Sequence, residues 1–222
     1  MSPGTRRRTV FLVDDHPIVL QGLAMLIDQQ EDVCVCGRSS TAEDALPAIA
    51  SASPDVVIVD LSLEGSSGLS LIKDLHIRHQ RLPILVLSMH DEALFAERAL
   101  RAGALGYVMK QEPAGELLAA LRRVLHGEIY LSERMSQGVL KSVARSGAAR
   151  KESPLGGLSD RELEVFELIG RGLKTGEIAR RLHLSVKTVQ THRAHIKDKL
   201  ALPNSAKLAL HAAKWSQRND LG

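Results

Sequence analysis

Cysteine is nearly absent, and that excludes one class of protein at once. Two cysteines in 222 residues cannot staple a disulfide framework. They stand as Cys34 and Cys36 in VCVCG, two apart on one face of an expected strand. No further metal-ligating residues sit nearby, so both read as small buried apolar side chains. Long apolar runs are also missing. None approaches the ~18 residues that a membrane span needs. The short run after Arg6–Arg8 ends at Asp14, below the ~7–15 residues of an export signal. No internal repeat is visible. These absences argue against a secreted or membrane-spanning protein and predict a cytoplasmic one.

What is present is an uneven distribution of charge. The chain is 44% hydrophobic and 25% charged, with a formal net charge of +3. Residues 1–131 carry 12 Lys/Arg against 17 Asp/Glu, whereas residues 132–222 carry 17 against 9. An acidic region followed by a basic one suggests two domains, the second meeting a polyanion.

The acidic region alternates short apolar runs with segments of helical period. Strands are predicted at Val10–Val13, Val33–Cys36, Val56–Val59, Ile84–Leu87 and Gly106–Met109. Helices are predicted at Ile18–Ile27, Ala42–Ala50, Leu69–Ile77, Ala93–Leu100 and Ala114–Leu125, with Thr41 as an N-cap and Gly103 just past a helix end. Five βα units imply an α/β fold: a flavodoxin-like, doubly wound parallel sheet in the order 2-1-3-4-5. Residues 132–157 read as a helix and a linker, the latter in RSGAARKESPLGG. Residues 158–222 read as a smaller all-α domain. Ser159 and Glu162 form a capping box, TGEIARRL is a short helix, and Ser185 caps a third helix reaching about Leu200. A fourth begins at Asn204 or Ser205 and ends near Trp215.

In an open α/β sheet, ligands bind beyond the carboxyl ends of the strands. Asp14 and Asp15 follow the first strand, Asp60 and Ser88 end the third and fourth, and Lys110 follows the fifth. Three converging carboxylates repel one another and call for a hard cation; Mg²⁺ suits them and favours phosphate-bearing partners. The chemistry implied is a carboxylate nucleophile that becomes an aspartyl phosphate. VFLVDDHP, VIVDLSLEGSSGL, LVLSMHDE and GYVMK together resemble the receiver domain of two-component response regulators, in their NarL/FixJ branch, over roughly 9–128. That resemblance implies Asp60 as phosphoacceptor and Asp14, Asp15, Asp60 and the Ser62 backbone carbonyl as Mg²⁺ ligands. It also implies Ser88 and Tyr107 as switch residues and Lys110 as the phosphate-contacting lysine. Ser62 and His90 then stand where the family tunes phosphoryl lifetime. Glu64 and Ser67 depart from the commoner residues of the family. A Tyr107 hydroxyl lying in water, and a His16 that is merely on the surface, are the plainer readings of those two residues.

In the third C-terminal helix, SVKTVQTHRAHIKDKL, Val186, Val189, Ile196 and Leu200 are expected inward. Lys187, Gln190, Thr191, Ala194 and Asp198 line the opposite face. A short helix, a tight turn and a capped longer helix make a helix-turn-helix, whose second helix enters the major groove. The stretch from Leu158 to Leu200 is similar to the LuxR-type four-helix DNA-binding domain, a resemblance that extends over nearly all of 155–215. The resemblance puts Gln190, Thr191 and Ala194 at base edges and Lys187, Thr188, His192 and Lys197 near phosphates. It also suggests dimerisation through Leu208, His211 and Trp215, a stripe that core packing explains equally well.

The expectation is a DNA-binding transcriptional regulator, not an enzyme. A sensor histidine kinase phosphorylates Asp60, and a homodimer then binds double-stranded promoter DNA. Two rivals are a partner-sensing receiver independent of phosphate and a Mg²⁺-dependent phosphotransfer enzyme. Ser62, where such an enzyme commonly has a second acid, argues against the last.

Overall fold

The computed structural model describes residues 6–63, 66–133, 135–136 and 155–220. Glu64 and nearly all of the predicted linker lie outside the described residues. The chain divides into two compact units, Met1–Ser136 and Gln137–Gly222.

The first unit holds β1 (Arg8–Val13), α1 (Pro17–Asp28), β2 (Val33–Ser39), α2 (Ala42–Ala52) and β3 (Val56–Val59). It continues with β4 (Ser62–Leu63), β5 (Ser66–Ser67), α3 (Gly68–Arg78), β6 (Ile84–Ser88), α4 (Glu92–Ala102), β7 (Gly106–Met109) and α5 (Ala114–Leu125). The main sheet is parallel in the order β2-β1-β3-β6-β7. This is the predicted 2-1-3-4-5 arrangement. Alternate strand residues face opposite layers. Val10, Leu12, Val56, Ile58, Leu85, Leu87 and Val108 pack with Leu20 and Ile27 of α1 and Leu117, Leu121 and Val124 of α5. The intervening strand residues are buried too, so the strands read as continuous apolar runs instead of an alternation. Each such Val or Leu contributes about 1.5–3 kcal/mol by leaving water. Thr41 caps α2 by accepting from the Asp44 amide at 3.2 Å.

Two details were not foreseen. The β1–β2 register runs from Val10↔Val35 to Phe11↔Gly37, so Cys36 is the extra residue of a bulge on the edge strand. Cys36 is therefore exposed and Cys34 half-buried, not a buried pair. The other detail is the antiparallel ribbon β4–β5, which pairs Ser62 with Ser67 just after Asp60. Such two-residue strands carry no periodicity from which to read them.

The second unit holds α6 (Asp160–Gly170), α7 (Thr175–Arg181), α8 (Val186–Lys199) and α9 (Ser205–Asp220). Ser159 and Glu162 make the predicted capping box, and Ser185 accepts from the Thr188 amide at 3.0 Å. Gly172, His183 and Ala201 end the first three helices with positive φ (82°, 51° and 51°). Of these, only glycine takes that conformation without a Cβ penalty. Leu163, Phe166, Ile178, Val189, Ile196, Leu208 and Ala212 fill the core. The fourth helix continues five residues past Trp215, because nothing in KWSQRND breaks a helix. Among the described residues, no helix is long and apolar enough to cross a membrane.

Candidate functional sites: strand-end carboxylates and an exposed basic helix

The sheet itself gathers the first site. The Asp14 amide donates to Ser39 O at 3.1 Å, and the Asp60 amide donates to Val13 O at 2.8 Å. These continuations of the ladder bring together two aspartates 46 positions apart in the chain. On the other side, the Lys110 amide donates to Ser88 O at 2.9 Å, returning the lysine to the same edge. Its Nζ lies 2.6 Å from Asp14 Oδ2 and 2.7 Å from Asp60 Oδ2. Asp14 is 2% exposed, Asp60 3% and Ser88 0%, so both carboxylates and the hydroxyl sit out of water. Burial works to lower the lysine's pKa, but Asp60 and Asp14 outweigh it and hold the ammonium above its ordinary value. Asp15 moves upward, chiefly through burial and further through the charges of Asp60 and Asp14, although His16 opposes this.

Asp14, Asp15, His16 and Asp60 each offer a ligand atom, and these atoms lie within 4.8 Å of one another. Asp60 Oδ1 is buried and has no hydrogen-bond partner. An orphaned buried carboxylate oxygen among further carboxylates fits a hard divalent cation. His16 was expected only as a surface residue. Its ring is exposed, yet Nδ1 reaches 2.5 Å from Asp15 Oδ1 and 3.3 Å from Asp14 Oδ1.

The loop after β6 closes the site. Ser88 Oγ accepts from the His90 amide at 3.3 Å, and Tyr107 OH donates to His90 O at 2.9 Å. Tyr107 is 1% exposed, so its hydroxyl does not lie in water. Ser62 Oγ lies 2.8 Å from His90 Nε2, and the imidazole packs on Phe95 with ring centroids 4.6 Å apart. The two positions flagged on resemblance thus touch each other. Gly68 was missed altogether. A Cβ there would overlap the Asp60 carbonyl and crowd Leu61 Cα, so α3 can start directly against the acidic strand end only as glycine. The GL after a polar turn was its one sequence signal.

In the second unit, Lys187, Gln190, Thr191, Ala194 and Asp198 are all exposed along one side of α8, as predicted, while Thr188, His192 and Lys197 are half-buried. Thr191 Oγ1 donates to Lys187 O at 3.1 Å, so its hydroxyl hydrogen is engaged within the helix. Burial first, with Arg161 and His195, holds the His192 imidazole below its usual value despite Glu162. Most of the face's positive charge therefore comes from lysine and arginine. Val189 and Ile196 point inward, but Val186 is 48% exposed and Leu200 only half-buried. The first residue of the helix projects beyond the core that its later turns meet. Glu162 fixes the far end of the helix: its Oε2 accepts from the Ser159 amide and from Lys199 Nζ, both at 2.7 Å. Burial raises this carboxyl, yet Lys199 and Ser159 together bring it below the ordinary glutamate value.

The apolar stripe of α9 is corrected in one respect. Leu208 is 0% exposed and belongs to the unit's own core, so it is not free to form a seam. His211 packs edge-on against Phe166, with ring centroids 5.9 Å apart, and Trp215 is half-buried.

A doubly wound unit with acidic strand ends, and a helix-turn-helix unit with a polar second helix, define a signal-receiving and DNA-binding class. The comparisons agree. Residues 10–122 match the response regulator receiver domain, and residues 157–212 match the LuxR family of bacterial regulatory proteins. The oxygen regulatory protein NreC of Staphylococcus aureus is 34% identical over 209 residues, spanning 92% of this chain and 96% of that protein. A LuxR-family response regulator from Aurantimonas is 31% identical with a TM-score of 0.58, covering 62% of this chain and 99% of that one. RcsB from Salmonella enterica serovar Typhimurium, solved on promoter P1flhDC with the phosphomimetic BeF3−, is 27% identical with a TM-score of 0.62. That match covers 94% of this chain and 100% of RcsB. The chain belongs to the two-component response regulators of the NarL/FixJ family, with a receiver domain and a LuxR-type DNA-binding domain.

Proposed function

We propose that Asp60 is the phosphoacceptor and that its phosphorylation controls promoter binding. The receiver spans 1–131, a helix and linker 132–157, and the DNA-binding domain 158–222. The observation that carries this reading is the asymmetry of the Asp60 carboxylate: Lys110 holds Oδ2, while Oδ1 is buried with no hydrogen-bond partner. Burying such an atom is costly, and the cost is offset when it acquires a ligand.

The donor is a phosphohistidine on a sensor histidine kinase. An Asp60 oxygen attacks phosphorus, the P–O bond forms, the P–N bond breaks, and the departing imidazole takes a proton from solvent. Asp14, Asp15, Asp60 and the Ser62 backbone carbonyl would hold Mg²⁺, which when bound offsets charge on the phosphoryl oxygens. Lys110 remains charged and pairs with the phosphoryl group. The Ser88 hydroxyl turns towards it and leaves the His90 amide, while Tyr107 is already seated inward on the His90 carbonyl. The shift favours a dimer that binds double-stranded promoter DNA in the cytoplasm. Gln190, Thr191 and Ala194 read base edges, while Lys187, Thr188, His192 and Lys197 lie at phosphates. RcsB, solved as two dimers on two parallel DNAs, supports the dimer. Pairing through α9 would use its exposed Leu210 and half-buried His211 and Trp215, with Leu208 behind them in the core.

The test is selection of bound genomic fragments with and without a phosphoryl donor, for wild type and Asp60→Asn. Wild type is expected to enrich one set of half-sites only with the donor, and the variant neither to incorporate label nor to gain affinity. Equal radiolabel incorporation by both proteins would overturn the assignment.

A further inference from the structure

After α5 the chain turns at Gly127, where φ is 77°, and comes back alongside β7. Tyr130 pairs with Gly106 in a parallel bridge. Its amide donates to Leu105 O at 2.9 Å, and its carbonyl accepts from the Tyr107 amide at 3.0 Å. The segment therefore covers an edge of β7 that the sheet leaves open. The Tyr130 hydroxyl donates to Glu116 on α5, and burial together with that carboxylate pushes its pKa up to about 12. It stays a donor at any physiological pH.

Two residues on, Ser132 is held by a bidentate acceptor. Its amide donates to Glu92 Oε1 at 2.9 Å, and its hydroxyl donates to Glu92 Oε2. Ser132 Oγ accepts from the Met135 amide at 3.2 Å, and its carbonyl accepts from the Ser136 amide at 2.9 Å. Ser132 is thus the N-cap from which the chain starts towards the second unit. Glu92 opens α4, two residues beyond His90, whose carbonyl holds the Tyr107 hydroxyl and whose amide meets Ser88. The first residues of the connection are bonded on one side to the backbone of Tyr107, and on the other to the helix that continues the Ser88 loop.

We infer that Tyr130–Ser132 is a strap that reads the receiver's switch: the Glu92–Ser132 clamp restrains the start of the interdomain connection until Asp60 is phosphorylated. The inference rests on the function proposed above. Movement of the Ser88 hydroxyl towards the phosphoryl group withdraws it from the His90 amide and displaces the loop that leads into the first turn of α4. Glu92 travels with that turn. Its two oxygens cannot keep both Ser132 bonds after a shift that the β7 pairing of Tyr130 does not share. The cap at Ser132 then loosens, and the connection is released. Glu92 and Ser132 are positioning residues. They touch neither the phosphoryl group nor DNA.

The experiment uses the full chain, acetyl phosphate as donor, and the DNA fragment that wild type enriches. Glu92→Ala, Ser132→Ala, the double variant and Ser132→Thr are compared with wild type. The readouts are label incorporation and the ratio of DNA affinities with and without donor. The strap predicts unchanged incorporation in all five proteins. It predicts higher donor-free affinity and a ratio roughly five-fold smaller in each alanine variant, the size expected for one net hydrogen-bonded contact. The double variant should lose no more than Glu92→Ala, because that change already removes both bonds to Ser132, whereas Ser132→Ala leaves the amide bond to Glu92 Oε1 in place. Ser132→Thr should behave as wild type, since it keeps the hydroxyl and the cap. Amide exchange at Ser132, Met135 and Ser136 should rise in wild type on adding donor and be high in the alanine variants throughout. A wild-type ratio well above one that is unchanged in both alanine variants overturns the strap alone. A wild-type ratio of one overturns phosphate control, and the strap with it.

Discussion

The two functional surfaces are built in opposite ways. The receiver site draws Asp14, Asp60, Ser88 and Lys110 from the ends of four strands, and buries them against one another. The exposed polar face of α8, proposed to read DNA, draws its residues from 12 consecutive positions, 187–198, and leaves most of them in water. One surface exists only when the sheet order is right. The other exists whenever a single helix forms and its apolar side finds a core. A substitution in the first should therefore disturb fold and function together. In the second, function can be removed while the fold stays.

The largest effect should come from treating the two sides of the second unit alike. Leu208→Ala removes a fully buried side chain and is expected to cost about 2–5 kcal/mol. Thermal unfolding should show the loss equally at low and high protein concentration. A loss that fades with dilution would make Leu208 a seam residue instead. Gly68→Ala strains the receiver where α3 meets the Asp60 backbone, and should cost about 1–3 kcal/mol. The same substitution should slow label incorporation, since the Asp60 carbonyl must move. Normal stability with normal phosphorylation would mean that the strand end is not rigidly placed. Lys187→Ala should be the mildest. Stability should change by no more than about 0.5 kcal/mol, binding should weaken on all sequences alike, and the salt slope should flatten by about one unit. Weakening on one operator alone would move Lys187 from phosphate to base.

The legibility of the molecule follows the same division. β3, β7 and α5 agree residue for residue with the runs read from sequence, because buried parallel strands are unbroken apolar stretches and α5 has a clean 3.6 period. The Thr41 and Ser159 caps were readable because they bond within three residues. Asp14, Asp15, Asp60 and Lys110 were found at strand ends, but their mutual distances, and the bare oxygen of Asp60, depend on neighbours tens of positions away. The same is true of the bulge at Cys36, the fit of Gly68, the reach of His16 and the bond between Ser62 and His90. Tyr130 and Ser132 show no motif at all. They matter because Gly106 and Glu92 happen to lie beside them.

By itself, the sequence determined the order of elements, the acidic and basic division, the helix caps and the polar face of α8. Each depends on contacts within a few residues, where backbone preference and side-chain period act directly. Tertiary structure alone decided which carboxylate oxygen is left unbonded, that Leu208 is core, that Tyr107 is turned inward to His90, and where the chain leaves the receiver. Those are set by packing between distant segments. The free energy of burying a polar atom or a side chain depends on what the rest of the fold places against it.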